Sequence, residues 1–259
     1  MQPALGTLIA ILVGWITGAA INYLSDVLPA KRSLVRPFCP ACGAGQPLAN
    51  MVFPFRKCQH CGKGQPIRTW IIQAAAVAIA VWMWFAPRPG LGFLPGMSLV
   101  LYFGLVVVID IEHHLILHPV SLAGGLLGFG VGVLLHGFLP TLLGGLAGFG
   151  LMFLLYLLGN AFAVLASRLR GVALEEGAMG FGDVTLSGVL GLMLGWPGIL
   201  LGLVIGIVIG GLASLVYLVV SFLLRRYRAF TAIPYGPFLV AGAVFLLFFR
   251  GFLIANIGP

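Results

Sequence analysis

Apolar runs near membrane-crossing length follow one another along the chain, separated by short polar or Pro- and Gly-bearing breaks. They lie at 4–23, 69–86, 91–110, 119–138, 141–166, 183–196, 198–224 and 235–256. A helix needs roughly 20 apolar residues to cross the hydrocarbon layer. The pattern therefore predicts an all-α polytopic membrane protein with about eight transmembrane helices. Breaks such as Ala86-Pro87-Arg88-Pro89-Gly90, Gly137-Phe138-Leu139-Pro140 and Trp196-Pro197-Gly198 end one helix and open the next, because proline removes a backbone donor and glycine permits the turn. The long polar interruption, at about 24–68, predicts a small extramembrane insertion.

Composition supports this. Of 259 residues, 61% are hydrophobic and 8% charged, against about a quarter charged in soluble domains. A water-soluble domain is excluded, as are collagen and coiled coil, because the glycines follow no three-residue period and charged heptads are absent. The net charge of +8 would suggest nucleic acid in a soluble protein. In a membrane chain Lys and Arg set orientation instead, and no nucleic-acid partner is expected. Twelve of the 14 Lys and Arg fall in the links after helices 1, 3, 5 and 7: Lys31, Arg32, Arg36, Arg56, Lys57, Lys63, Arg68, Arg168, Arg170, Arg225, Arg226 and Arg228. Arg88 and Arg250 fall on the other side. The positive-inside rule then puts the 24–68 link in the cytoplasm and both termini outside. With no basic stretch before it, the first run reads as a retained span rather than a cleaved signal. Gly124 to Gly132, Gly144-Gly145 and Gly206 to Gly211 fit close helix packing in lipid. No long internal repeat supports a transporter built from inverted halves.

All four cysteines lie in the polar link as Cys39-Pro40-Ala41-Cys42 and Cys58-Gln59-His60-Cys61. This C-x2-C-x15-C-x2-C spacing suits a tetrahedral thiolate site for structural zinc, a zinc-ribbon-like insertion. Gly43 and Gly62, directly after each pair, permit tight turns. Two disulfides are the competing reading, disfavoured in a reducing cytoplasm. A catalytic metal would keep an open position, and His60 reads as a surface residue rather than a fifth ligand.

The six acidic residues are Asp26, Asp110, Glu112, Glu175, Glu176 and Asp183. Asp110 ends an apolar run and Asp183 starts one, after Gly180-Phe181-Gly182. An ionisable residue there is costly and points to function. Two carboxylates brought together in poorly polar surroundings share one proton, which is the machinery of an aspartic protease. Gly180 and Gly182 would let substrate or backbone approach Asp183. Helix capping is the competing reading for both aspartates. Glu112, about 200° round a helix from Asp110, would not share its face; Glu175 and Glu176 read as solvated. His113, His114 and His118 would need a companion cluster to form a metal site, and none occurs elsewhere in the sequence.

In this order, five elements resemble the bacterial type IV prepilin peptidases, GxGD-type membrane aspartic proteases. They are Gly18 and Asn22 leading to Leu28-Pro29; the paired cysteine knuckles; Asp110-Ile111-Glu112-His113-His114; Gly177-Ala178-Met179-Gly180-Phe181-Gly182-Asp183; and Ile233-Pro234-Tyr235-Gly236-Pro237-Phe238. The resemblance covers most of the chain and implies that Asp110 and Asp183 are the catalytic pair. It implies prepilin or pseudopilin substrates, cut at the cytoplasmic face of the inner membrane after a short basic leader. It further implies methylation of the new N-terminus by S-adenosylmethionine. On that basis 1–68 forms a first span plus a four-cysteine, methyltransferase-like region, and 69–259 a seven-helix peptidase domain.

The chain also departs from the family pattern. Leu117-His118-Pro119 stands where Pro-Asp is usual, and Thr185 where a lysine is common. Gly18-Ala19-Ala20-Ile21-Asn22 replaces Gly-Ser-Phe-Leu-Asn, Val27 replaces an arginine before Leu-Pro, and Gln73 replaces a glutamate. The last two remove charge from the methyltransferase-like region. The rival readings are a peptidase-only homologue, a non-catalytic pilus assembly scaffold, and a channel or transporter using the two aspartates as a cation site.

Overall fold

A computed structural model describes residues 3–39, 41–47, 49–53, 55–87, 90–170, 180–224 and 234–257; at 3, 166–170 and 250–257 only the backbone is described. Among the described residues the helices, in chain order, are α1 (Pro3–Lys31), α2 (Ala49–Val52), α3 (Ile67–Phe85), α4 (Phe93–His113), α5 (His118–His136), α6 (Phe138–Arg170), α7 (Phe181–Leu194), α8 (Gly198–Leu223) and α9 (Gly236–Ile257). Each of the eight expected apolar runs is a helix, and α2 is an addition within the polar link. Six are long and apolar enough to cross a membrane: α1, α3, α4, α5, α6 and α8. The protein is thus an all-helical, multi-pass membrane protein. α7 has 14 residues, about 21 Å at 1.5 Å per residue, which is less than a full crossing. Glu175, Glu176, Gly177 to Met179, Arg225, Arg226, Arg228 and Ile233 lie outside the described residues.

The chain divides into two compact units, Met1–His113 and His114–Pro259. In the first, α1 packs on α3 and α4. Polar side chains are sealed inside this packing, and their amide nitrogens donate to backbone carbonyls. Asn22 Nδ2 donates to the Thr69 carbonyl at 3.2 Å, and Gln73 Nε2 to the Trp15 carbonyl at 2.6 Å. At the link end, the Arg68 guanidinium pairs with both Asp26 and Glu112, so one side chain ties α1, α3 and α4.

In the second unit α7 is the central element, packed against α5, α6, α8 and α9. Val184, Leu186 and Met193 are fully buried. α6 and α7 meet backbone to backbone: a Cβ on Gly191 would sit 2.1 Å from the Gly144 carbonyl oxygen. Only glycine allows that approach. Phe181 packs edge-on against Phe149 and Tyr156 of α6, which fixes the first turn of α7 and hence the direction of Asp183.

Candidate active site and metal centre

Asp110 lies in the last full turn of α4 and is only 5% exposed. α4 continues through Glu112 to His113, so helical periodicity turns Glu112 to the other side, where it meets Arg68. The two neighbouring carboxylates thus have different environments: one sealed, one paired at the surface. Asp110 lies within the last turn of α4 and not at a cap position.

Asp183 occupies the first turn of α7, whose N-cap is Gly180 rather than the aspartate. There its charge is favourably placed against the helix dipole. The two flanking glycines do different things. The open face of Gly180 looks toward Asp183, with Oδ2 3.9 Å from where a Cβ would be. The bare face of Gly182 is filled by Ile116, whose Cβ would lie 2.8 Å from an added methyl. Gly180 keeps space beside the carboxylate, whereas Gly182 lets the α4–α5 link pack down on α7.

Tyr235, immediately before α9, also belongs to this neighbourhood. Burial raises its phenol above the usual range, and the Asp183 carboxylate raises it further. Its hydroxyl is a potential hydrogen-bond donor in this neighbourhood. The sequence shows Tyr235 within a motif but gives it no role; the electrostatic influence joins residues 52 positions apart, and no local pattern announces it. Thr185 donates back to the Gly182 carbonyl at 2.8 Å and comes within 3.5 Å of Ser121. These two, with His118, Leu122, Leu146 and Phe149, line a mainly apolar cavity of about 450 Å³.

The four cysteines are brought together. All four Sγ atoms lie within 4.8 Å of one another, with Cys39–Cys61 and Cys42–Cys58 each 3.8 Å apart. A tetrahedral zinc with Zn–S of about 2.3 Å has S···S edges of roughly 3.8 Å, so the donor set fits. A disulfide would need about 2.05 Å, and the thiols are free. Each pair sits in the same knuckle: Cys39 N–H donates to Ala44 O and Gly43 N–H to Cys39 O, as Cys58 N–H does to Lys63 O and Gly62 N–H to Cys58 O. Gly43 and Gly62 take φ of 71° and 68°, a left-handed conformation suited to glycine. The backbone N–H groups of Cys61 and His60 lower the Cys58 thiol to about 6, so a thiolate is available at neutral pH. His113, His114 and His118 join no set of three or more gathered ligand atoms among the described residues.

Comparison with known proteins decides the family. Residues 97–215 match the type IV leader peptidase family. Two curated relatives, each a prepilin leader peptidase/N-methyltransferase, come from Burkholderia pseudomallei strains 1026b and K96243. Each is 30% identical over 232 residues, covering 86% of this chain and 71% of the relative. The chain belongs to the type IV leader peptidase family. It is by that membership a peptidase. The family match spans the segment from α4 to α8, which contains both Asp110 and Asp183. No solved structure matches the chain.

The relatives' name implies a methyl donor, S-adenosylmethionine. Val27 and Gln73, where this peptidase departs from the family's charges, are fully buried and 1% exposed respectively. A Cβ on Gly18 would lie 3.1 Å from Gln73, so α1 and α3 approach closely at that level. No methyl-transfer step is assigned to Val27 or Gln73.

Proposed function

We propose that this peptidase removes the short leader from prepilins or pseudopilins, cutting at the cytoplasmic face of the bacterial inner membrane through the carboxylates of Asp110 and Asp183. The observation that carries the reading is that each aspartate lies in the terminal turn of an apolar helix in a chain of the leader peptidase family. In the mechanism, one carboxylate is ionised and takes a proton from water. The other, protonated, donates to the scissile carbonyl oxygen as that water attacks its carbon. The tetrahedral species then collapses with proton transfer to the leaving amine. A carboxylic acid and a free amine result, with no covalent enzyme intermediate. Gly180 keeps room for the substrate backbone beside Asp183, and Tyr235 supplies a neutral donor there. The apolar cavity lined by Ser121, Leu122 and Phe149 suits the hydrophobic segment that follows a pilin leader.

Zinc held by Cys39, Cys42, Cys58 and Cys61 would act as a structural staple, because four thiolates leave no open position for chemistry.

The test is mass spectrometry of a model prepilin incubated with purified protein and S-adenosylmethionine, beside Asp183→Ala and Asp110→Ala. The expected result is a leader-less product from the wild type and none from the variants. Cleavage by a folded alanine variant overturns the aspartate pair. The same spectrum reads the second reaction of the relatives' name: a product heavier by one methyl group assigns N-methylation to this chain, and an unmethylated product makes it a peptidase only.

A further inference from the structure

Part of the polar link packs against α1 and α3. α3 has 19 residues, about 28 Å, so it uses its whole length to cross a core of roughly 30 Å. Its first residue, Ile67, therefore marks one edge. Gln73 lies six residues further in, about 9 Å by the helical rise, and donates to the Trp15 carbonyl. The indole Nε1 of that same Trp15 donates to the carbonyl of Val52, the last residue of α2, at 2.7 Å. Phe55 stacks on Trp15 with centroids 6.3 Å apart and meets Trp70 edge-on at 4.8 Å. A segment that belongs to the polar link by sequence is thus level with the inside of a spanning helix.

Its surface suits that depth. Asn50 and Met51 face inward and are buried, while Phe53 is 49% and Phe55 69% exposed. Part of the backbone is satisfied internally, as an apolar setting favours: Asn50 N–H donates to Pro47 O, Phe53 N–H to Ala49 O and Arg56 N–H to Phe53 O. Arg56 and Lys57 follow at once, and the Arg56 guanidinium lies 5.7 Å over the Phe53 ring. Aromatic rings at acyl-chain level with basic groups just above them are the signature of an interfacial anchor, which sinks about 5–10 Å.

We propose that α2, with Phe53 and Phe55, is such an anchor: its rings insert among the lipid acyl chains, Arg56 and Lys57 meet the phosphate layer, and the cysteine cluster is held against the membrane surface. The occupant of this face is lipid.

The experiment uses the full-length protein in phosphatidylcholine/phosphatidylglycerol nanodiscs. A nitroxide is attached through p-acetylphenylalanine placed at Phe55, which leaves the cysteines untouched. Collision with oxygen and with a water-soluble nickel chelate is read by power saturation. Labels at lipid-facing Leu12 and at exposed Lys63 set the two limits. Expected is an oxygen-to-nickel ratio several-fold above that at Lys63 and close to that at Leu12. A ratio like that of Lys63 means the segment stands in water and overturns the proposal. Low access to both reagents means protein covers the rings and overturns it equally. The same label at Phe53 provides an independent reading should the first perturb the helical content.

Discussion

Tyr235 stands one residue before α9, where burial and then the Asp183 carboxylate raise its phenol above the usual range. If it serves the carboxylate as a donor, Tyr235→Phe keeps the ring packing and removes only the hydroxyl. The expected result is a fall in kcat of about tenfold, equivalent to roughly 1.4 kcal/mol, with little change in KM. Unchanged cleavage kinetics would leave Tyr235 a packing residue. At this scale the sequence was uneven in what it disclosed. The opposed settings of Asp110 and Glu112 followed from helical periodicity alone, because both sit on one helix. The pairing of Arg68 with Asp26 and Glu112 did not, because its partners are 42 and 44 residues away and single surface charges carry no mark of whom they meet. Gly182 was legible as a close-approach position, but that Ile116 fills it could not be read from a one-dimensional pattern.

At the scale of elements, the α6–α7 contact is the most exacting. Gly191→Leu would force a side chain into the Gly144 carbonyl, and overpacking of this kind costs about 1–3 kcal/mol or more. A lower melting temperature in detergent is the expected outcome, whereas the same change at Gly150, where an added Cβ meets nothing, should leave it nearly unchanged. The spans themselves were readable because bilayer thickness imposes one length on every crossing helix. α2 was not, since four residues are too few to display a period. The cysteine knuckles were readable for the opposite reason: each is a local turn whose ligands and glycine are neighbours in sequence. Elemental analysis of protein purified without chelator should find about one zinc per chain, and Cys58→Ser should lose it. A metal-free wild type would remove zinc from the account.

For the whole molecule, the distribution of Lys and Arg proposes that the links after α1, α4, α6 and α8 share the cytoplasmic side. Reporter fusions truncated within the cysteine-bearing link and after α3 should give opposite topologies, active for a cytoplasmic reporter in the first and silent in the second. Equal activity at both would undo the orientation. The length of α7 adds something that topology does not. Its far end is level with the start of α6, where Trp196 N–H donates to the Pro140 carbonyl at 2.8 Å. α7 falls about 9 Å short of a relaxed hydrocarbon core, with Asp183 in its first turn. The proposed hydrolysis consumes a water molecule at every turnover, and a hydrocarbon core of full thickness excludes water. A helix too short for the relaxed bilayer favours local thinning, and thinning beside α7 would bring bulk water nearer to Asp183.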